Sequence, residues 1–360
     1  MSMANLRFAM IGTGFWSTFQ LAGWYEAGGV ECVALCNRTV SKAESLGQQW
    51  GISKVYSIDD IETMLDTEKL DFIDICTNVE THYPLTKMAA ERGIPVVCQK
   101  PMAVSLAEAE AMVAVCQQAN VPLFINENWR WQYPIRQFKQ RMEAGGIGRP
   151  FRARIDYRNS FPVFDNQPFL KELEQFILTD IGSHILDVAR YLFGDATRLY
   201  CETTRVHPDI RGEDVATVMM TMGEDITVTC EMSYASKREH DRFPETYIEV
   251  EGSQGFLALE PDFWIRETTS EGTRATRHQP PRYAWADPAY DLVHSSIVPA
   301  QASFVRALNG TGAAENTGAD NLKTMQLVFG AYASAAAHQV LSLPLHSSTL
   351  AALDAIAHNL

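Results

Sequence analysis

Between residues 6 and 126 the apolar positions fall into two alternating kinds of run. Leu6–Ile11, Glu31–Cys36, Phe72–Cys76, Pro95–Cys98 and Pro122–Asn126 are short apolar stretches, too short for helices, and predict buried strands. Between them, 15–27, 41–50, 59–66, 82–92 and 105–119 carry helical patterning. Ser41-x-x-Glu44 and Ser105-x-x-Glu108 have the form of capping boxes, and Gly93 stands where a helix should stop. Short apolar strands alternating with helices imply a parallel sheet covered on both faces. The pattern changes after residue 127. A helix through about Ala144 ends at Gly145-Gly146-Ile147-Gly148, and strand-like alternation follows over Arg152–Asn159, Arg198–Val206, Val215–Met222, Ile226–Tyr234, Thr246–Glu251, Gly255–Glu260 and Trp264–Thr268. Turn signals such as Gly223-Glu224-Asp225 join these runs, so the second half should form a largely antiparallel sheet with one open face. Asp320 to Val340 predicts a packing helix rich in Ala and Met.

The expected architecture is α/β: a Rossmann-type domain over 1–127 and an α+β domain over 128–360 that serves substrate binding and oligomerisation. Ligands of such parallel sheets lie beyond the carboxyl ends of the strands, which directs attention to particular residues. The first strand breaks at Gly12-Thr13-Gly14-Phe15-Trp16-Ser17. Gly12 suits a tight turn, Gly14 lets backbone approach a phosphate, and the helix beginning there points its first amides at an anion. Ser17 stands where a third glycine would complete the dinucleotide motif, and it is small enough for close helix–strand packing. Asn37-Arg38 ends the second strand. With no carboxylate there and an arginine present, the position tilts toward a 2′-phosphate or tolerance of both dinucleotides. Thr77, Asn78 and His82 follow the third run, and Gln99-Lys100-Pro101 follows the fourth, where a lysine at the end of a buried strand is unusual.

A net charge of −14 argues against nucleic acid or an anionic membrane as partner. No apolar run reaches spanning length, and a strand begins so early that no signal peptide is expected. Seven scattered cysteines without a Cys-x-x-Cys pair read as reduced core residues of a cytoplasmic protein, and no metal site is expected. In the second half, Asp180, His184 and Asp187 stand at i, i+4 and i+7, so a helix starting near 180 would project acid, imidazole and acid from one face. Structural readings compete: Asp180 as N-cap, His184 as a core histidine, Asp187 paired with Arg190. Asn128, Arg130 and Arg158 are candidates for binding substrate, given their chain positions, while Trp129 and Trp131 suit either an apolar ligand face or the core.

Taken together, Gly12-Thr13-Gly14, Gln99-Lys100-Pro101 and Asp180-x-x-x-His184 resemble the motifs of the glucose-fructose oxidoreductase / inositol dehydrogenase / rhizopine-catabolism (Gfo/Idh/MocA) family over essentially the full chain. Glutamine replaces the usual glutamate before the lysine. The resemblance implies NAD(P) as cofactor, with Gly12, Gly14, Phe15, Trp16, Asn37, Arg38, Thr77, Asn78, His82, Gln99 and Lys100 in its site. It implies Lys100, Asp180 and His184 as the catalytic group, with Asp180 and His184 also touching substrate. The implied reaction is oxidation of a sugar hydroxyl, and the segments around 128–132 and 176–187 are similar to those of aldose 1-dehydrogenases, ones acting on apiose among them. An inositol or cyclitol dehydrogenase, a sugar reductase and an NAD-dependent glycosidase are the alternatives on the same scaffold. A homodimer or homotetramer is the implied assembly.

Overall fold

The computed structural model describes residues 4–351. The chain divides into two compact units. One comprises the residues through Asn128 with Tyr283–Asp287 and His294–Leu322; the other comprises Trp129–Arg282, Pro288–Val293 and the residues from Lys323 onward.

In the first unit, six parallel strands run β1 (Leu6–Ile11), β2 (Val30–Asn37), β3 (Val55–Ser57), β4 (Phe72–Ile75), β5 (Val96–Gln99) and β6 (Leu123–Asn126). Their order in the sheet is β3-β2-β1-β4-β5-β6, the doubly wound arrangement whose strand order reverses beside β1. The helices α1 (Phe15–Ala27), α2 (Val40–Trp50), α3 (Ile61–Thr67), α4 (His82–Ala90) and α5 (Leu106–Gln118) alternate with them. On one face Phe8 stacks on Phe72 at 4.9 Å, Trp24 lies 5.0 Å from Phe72, and Phe124 stacks on Phe304 at 5.1 Å. Each such side chain contributes about 1.5–3 kcal/mol by burial. Phe304 is why a contiguous second domain over 128–360 is not what forms: the stretch 294–322 buries its apolar face on the first sheet, and Ile125 N donates to Asn316 O across it. Ser105 Oγ accepts from Glu108 N at 3.2 Å, as its capping box predicts. Ser41 does not cap; α2 starts one residue earlier, with Thr39 at the N-cap and no side-chain hydrogen bond.

The second unit is built on a nine-stranded sheet formed by β7 (Pro150–Arg158), β8 (Ala196–Thr204), β9 (Val215–Met222), β10 (Ile226–Ser233), β11 (Tyr247–Gly252), β12 (Gly255–Glu260), β13 (Trp264–Thr269), β14 (Gly272–Arg277) and β15 (Leu341–Ser342). The order is β14-β13-β12-β11-β7-β10-β9-β8-β15, and every pairing is antiparallel except β7 with β10. Helices α6 (Tyr133–Glu143), α7 (Val163–Asn166) and α8 (Ser183–Phe193) belong to this unit, and α8 contacts β7 and β10. Two long helices, α9 (Asp291–Leu308) and α10 (Gly318–Ala337), complete the described α-helices.

Candidate active site

At the carboxyl end of β1 the chain turns at Gly12 with φ +95°, and a Cβ there would stand 2.4 Å from Cys76 O. Only glycine fits this turn. A Cβ on Gly14 would meet nothing within 4 Å, so this side of the loop is open. Ser17, 1% exposed, donates to Gly14 O at 2.5 Å, packing as the small residue expected there. Thr13 Oγ1 and Gln99 Nε2, at the ends of β1 and β5, are buried without a hydrogen-bond partner among the described residues. An open glycine loop, unspent amides at the start of a 13-residue helix and two orphaned polar atoms fit a dinucleotide.

Of the other residues expected to touch the cofactor, Phe15 projects 79% exposed from the first position of α1, and Trp16 is half-buried near His294. Asn37 accepts from Thr13 N at 3.2 Å and donates to Thr39 O at 2.9 Å, so its side chain braces the glycine loop. Arg38 and Asn78 are exposed, Thr77 and Lys100 are partly buried, and Lys100 precedes a cis Pro101. His82 is different from what the sequence suggests. It is 1% exposed, with Nδ1 beside Pro101 O and Met102 O and Nε2 beside Thr77 O. Both ring nitrogens face main-chain carbonyls inside the unit, and the one that carries the proton donates to its side.

Asn128, 5% exposed, donates to Ser296 Oγ at 2.8 Å in the same unit.

In the second unit Asp180 lies inside a π-helical turn, Leu178–Gly182, that leads into α8, so it is no N-cap. Tyr332 and a buried carboxylate shape that turn: Glu213 accepts from Phe176 N and Leu178 N, Tyr332 donates to Glu213, and Thr179 N donates to Tyr332 Oη. Burial raises the Glu213 carboxyl above the usual range. Tyr234 donates to Asp180 Oδ2 at 3.2 Å, and burial lifts its hydroxyl far above the ordinary tyrosine range, keeping it a neutral donor. His184, 4% exposed, lies parallel to Trp129 with ring centroids 4.5 Å apart, and Trp129 in turn packs on Tyr157. Both Trp129 and Trp131 are core residues here.

Asp187 is held by a guanidinium from the segment before α6. Arg130 donates to it through Nε at 2.7 Å and Nη2 at 2.5 Å, both side chains being buried, while Arg190 pairs with Asp195. The guanidinium expected to meet a substrate hydroxyl is thus committed to fixing α8. Arg158 is a clearer correction. Side chains alternate along β7, so Arg154, Asp156 and Arg158 occupy one face while Ile155 and Tyr157 pack beneath the helices. Arg158 pairs with Asp156 and Glu231 on the open face, opposite the Tyr157–Trp129–His184 stack.

Sequence reasoning missed Tyr234, Glu213 and Tyr332. Tyr234 was visible only as the end of a strand, and nothing local couples Glu213 or Tyr332 to position 180.

Comparison with known proteins defines the class. Residues 6–127 match the model of an oxidoreductase family with an NAD-binding Rossmann fold, and residues 135–258 match the Gfo/Idh/MocA C-terminal domain. The chain is similar to D-apiose dehydrogenase of Paraburkholderia graminis, 42% identical over 91% of this chain and 87% of that protein. It is similar to D-apiose dehydrogenase of Rhizobium rhizogenes, 39% identical over 93% of this chain and 97% of the relative. Among solved structures, an oxidoreductase from Agrobacterium radiobacter in complex with NAD+, L-tartaric acid and magnesium superposes with a TM-score of 0.91 at 38% identity, covering 94% and 98% of the two chains. The protein therefore belongs to the Gfo/Idh/MocA family of oxidoreductases.

Proposed function

We propose that this oxidoreductase oxidises a free aldose at C1, D-apiose foremost, to the lactone, with NAD(P) as acceptor. One observation carries the reading: Lys100 and the Asp180-x-x-x-His184 segment are retained in a chain 42% and 39% identical to two D-apiose dehydrogenases over nearly its whole length. When bound, the nicotinamide supplies the hydride acceptor. His184 takes the proton of the anomeric hydroxyl on a ring nitrogen, its plane fixed by the Trp129 stack. Asp180, held by Tyr234, orients the imidazole or a neighbouring hydroxyl. The Lys100 ammonium stabilises negative charge as it develops on the reacting oxygen. Arg38 and the lack of a carboxylate at the end of β2 favour tolerance of a 2′-phosphate. Seven free thiols, six of them buried, support a cytoplasmic setting, and the open face of the second sheet supports pairing with another copy of the chain.

The test is absorbance at the reduced-nicotinamide band while the protein meets a panel of aldoses and cyclitols, each with NAD and with NADP. D-apiose is expected to give turnover that falls about 10²- to 10³-fold, the loss for a main electrostatic stabiliser, in Lys100→Met. Turnover on a cyclitol but no aldose would overturn the substrate assignment, and full activity in Lys100→Met would overturn the mechanism.

A further inference from the structure

The His82 side chain lies between two loops of the first unit. Its Nδ1 lies 3.1 Å from Pro101 O and 3.2 Å from Met102 O, and its Nε2 lies 3.2 Å from Thr77 O. Carbonyl oxygens only accept, so the neutral imidazole donates its one N–H to one side and packs its other edge against the second. Thr77 closes the carboxyl end of β4, where its Cγ2 would stand 2.9 Å from a Cβ on Gly12, and Pro101 and Met102 directly follow Lys100. Proline has no N–H of its own, so the main chain behind Lys100 is anchored at Pro101 through its carbonyl. Met102 and Ala103 are fully buried, which leaves the lysine at the end of a stiff, internally tethered segment. The His82 ring is buried to 1% exposure, and burial holds its pKa below the ordinary histidine value.

We propose that His82 is a positioning residue for Lys100, a strap that sets the lysine against the glycine loop, where it acts without touching cofactor or substrate. The inference rests on the catalytic reading of Lys100 given above. A displacement of about 1 Å at a reacting group lowers turnover on the order of 100-fold, so loss of the strap should appear in kcat. The experiment compares His82→Ala, His82→Gln, Lys100→Met and the two double variants in the full-length protein. Measured quantities are kcat and KM on the best aldose and dinucleotide Kd from quenching of tryptophan fluorescence.

His82→Ala is expected to lose roughly 10- to 100-fold in kcat while KM and dinucleotide Kd stay within about threefold. His82→Gln, whose amide still donates to one carbonyl, recovers a large part of the loss. Against Lys100→Met, the His82 substitutions change the residual rate less than about twofold, since coupled residues do not add. Wild-type kcat in His82→Ala, an equal loss in the Lys100→Met background, or a Kd rise as large as the kcat loss would each overturn the proposal. If His82→Ala does not fold, His82→Phe, which fills the space with no donor, takes its place in the same comparisons, wild-type kcat there counting against. Retained activity in Lys100→Met alone strikes the functional reading instead, so the two failures are distinguishable.

Discussion

At the scale of single residues, the proposed acid/base group is held by neighbours that do no chemistry. Trp129 fixes the plane of His184, and Tyr234 holds one oxygen of Asp180. Beneath them the Arg130–Asp187 pair is buried and bidentate, with Thr324 Oγ1 donating to Asp187 Oδ1 at 3.1 Å. Removing one partner of such a pair leaves an uncompensated charge in the core, which costs about 3–5 kcal/mol. Asp187→Leu should therefore lower the unfolding free energy in urea by about that amount, and Arg130→Met/Asp187→Leu together should cost less than Asp187→Leu alone. A loss below about 1 kcal/mol for the single change would show that the pair is not desolvated as described. Sequence alone offered Arg130 as a ligand because a charged residue after a strand end is conspicuous, whereas its partner lies 57 positions away.

At the scale of elements, one buried carboxylate ties three of them. Asp74, in the middle of β4, accepts from Trp24 Nε1 at 2.6 Å and Gln20 Nε2 at 3.0 Å on α1, and from Asn126 Nδ2 at 3.3 Å on β6. Burial outweighs these donors and raises its pKa to about 6. The folded state thus holds this proton more tightly than the unfolded chain, and its contribution to stability is greatest in acid and falls as pH rises from about 4 through about 6. Comparing wild type with Asp74→Asn, the change in unfolding free energy between pH 5 and pH 7 should differ by on the order of 1–2 kcal/mol, the wild type losing more as pH rises. Identical pH slopes in the two proteins would contradict this account of the network.

The same scale shows what the sequence could carry. The apolar runs that became β1, β2, β4, β5 and β6 announced themselves because parallel strands are buried on both faces. The three-residue β3 and two-residue β15 are too short for any period to register, and β14 (Gly-Thr-Arg-Ala-Thr-Arg) is exposed throughout and has no apolar face to alternate. Lys100, Asp180 and His184 were legible as motif spacing. The faces were not: Arg158 was read by its proximity in sequence, while the two-residue period of β7 turns it away from His184. His82 was read as lining a ligand because it follows a strand end, and only tertiary packing shows that its nitrogens meet carbonyls.

For the whole molecule, two units with separate sheets divide the proposed work: one presents the open glycine loop and Lys100, the other the π turn and His184. No helix among the described residues is long and apolar enough to cross a membrane. The central claim is that hydride leaves C1 of an aldose for the nicotinamide, and isotope transfer tests it most directly. With C1-deuterated D-apiose and excess NAD or NADP, the account predicts reduced cofactor carrying one deuterium at the nicotinamide ring, seen by mass spectrometry and NMR, together with an apionic lactone or acid. Reduced cofactor without the label, or product oxidised at another carbon with deuterium retained at C1, would contradict it.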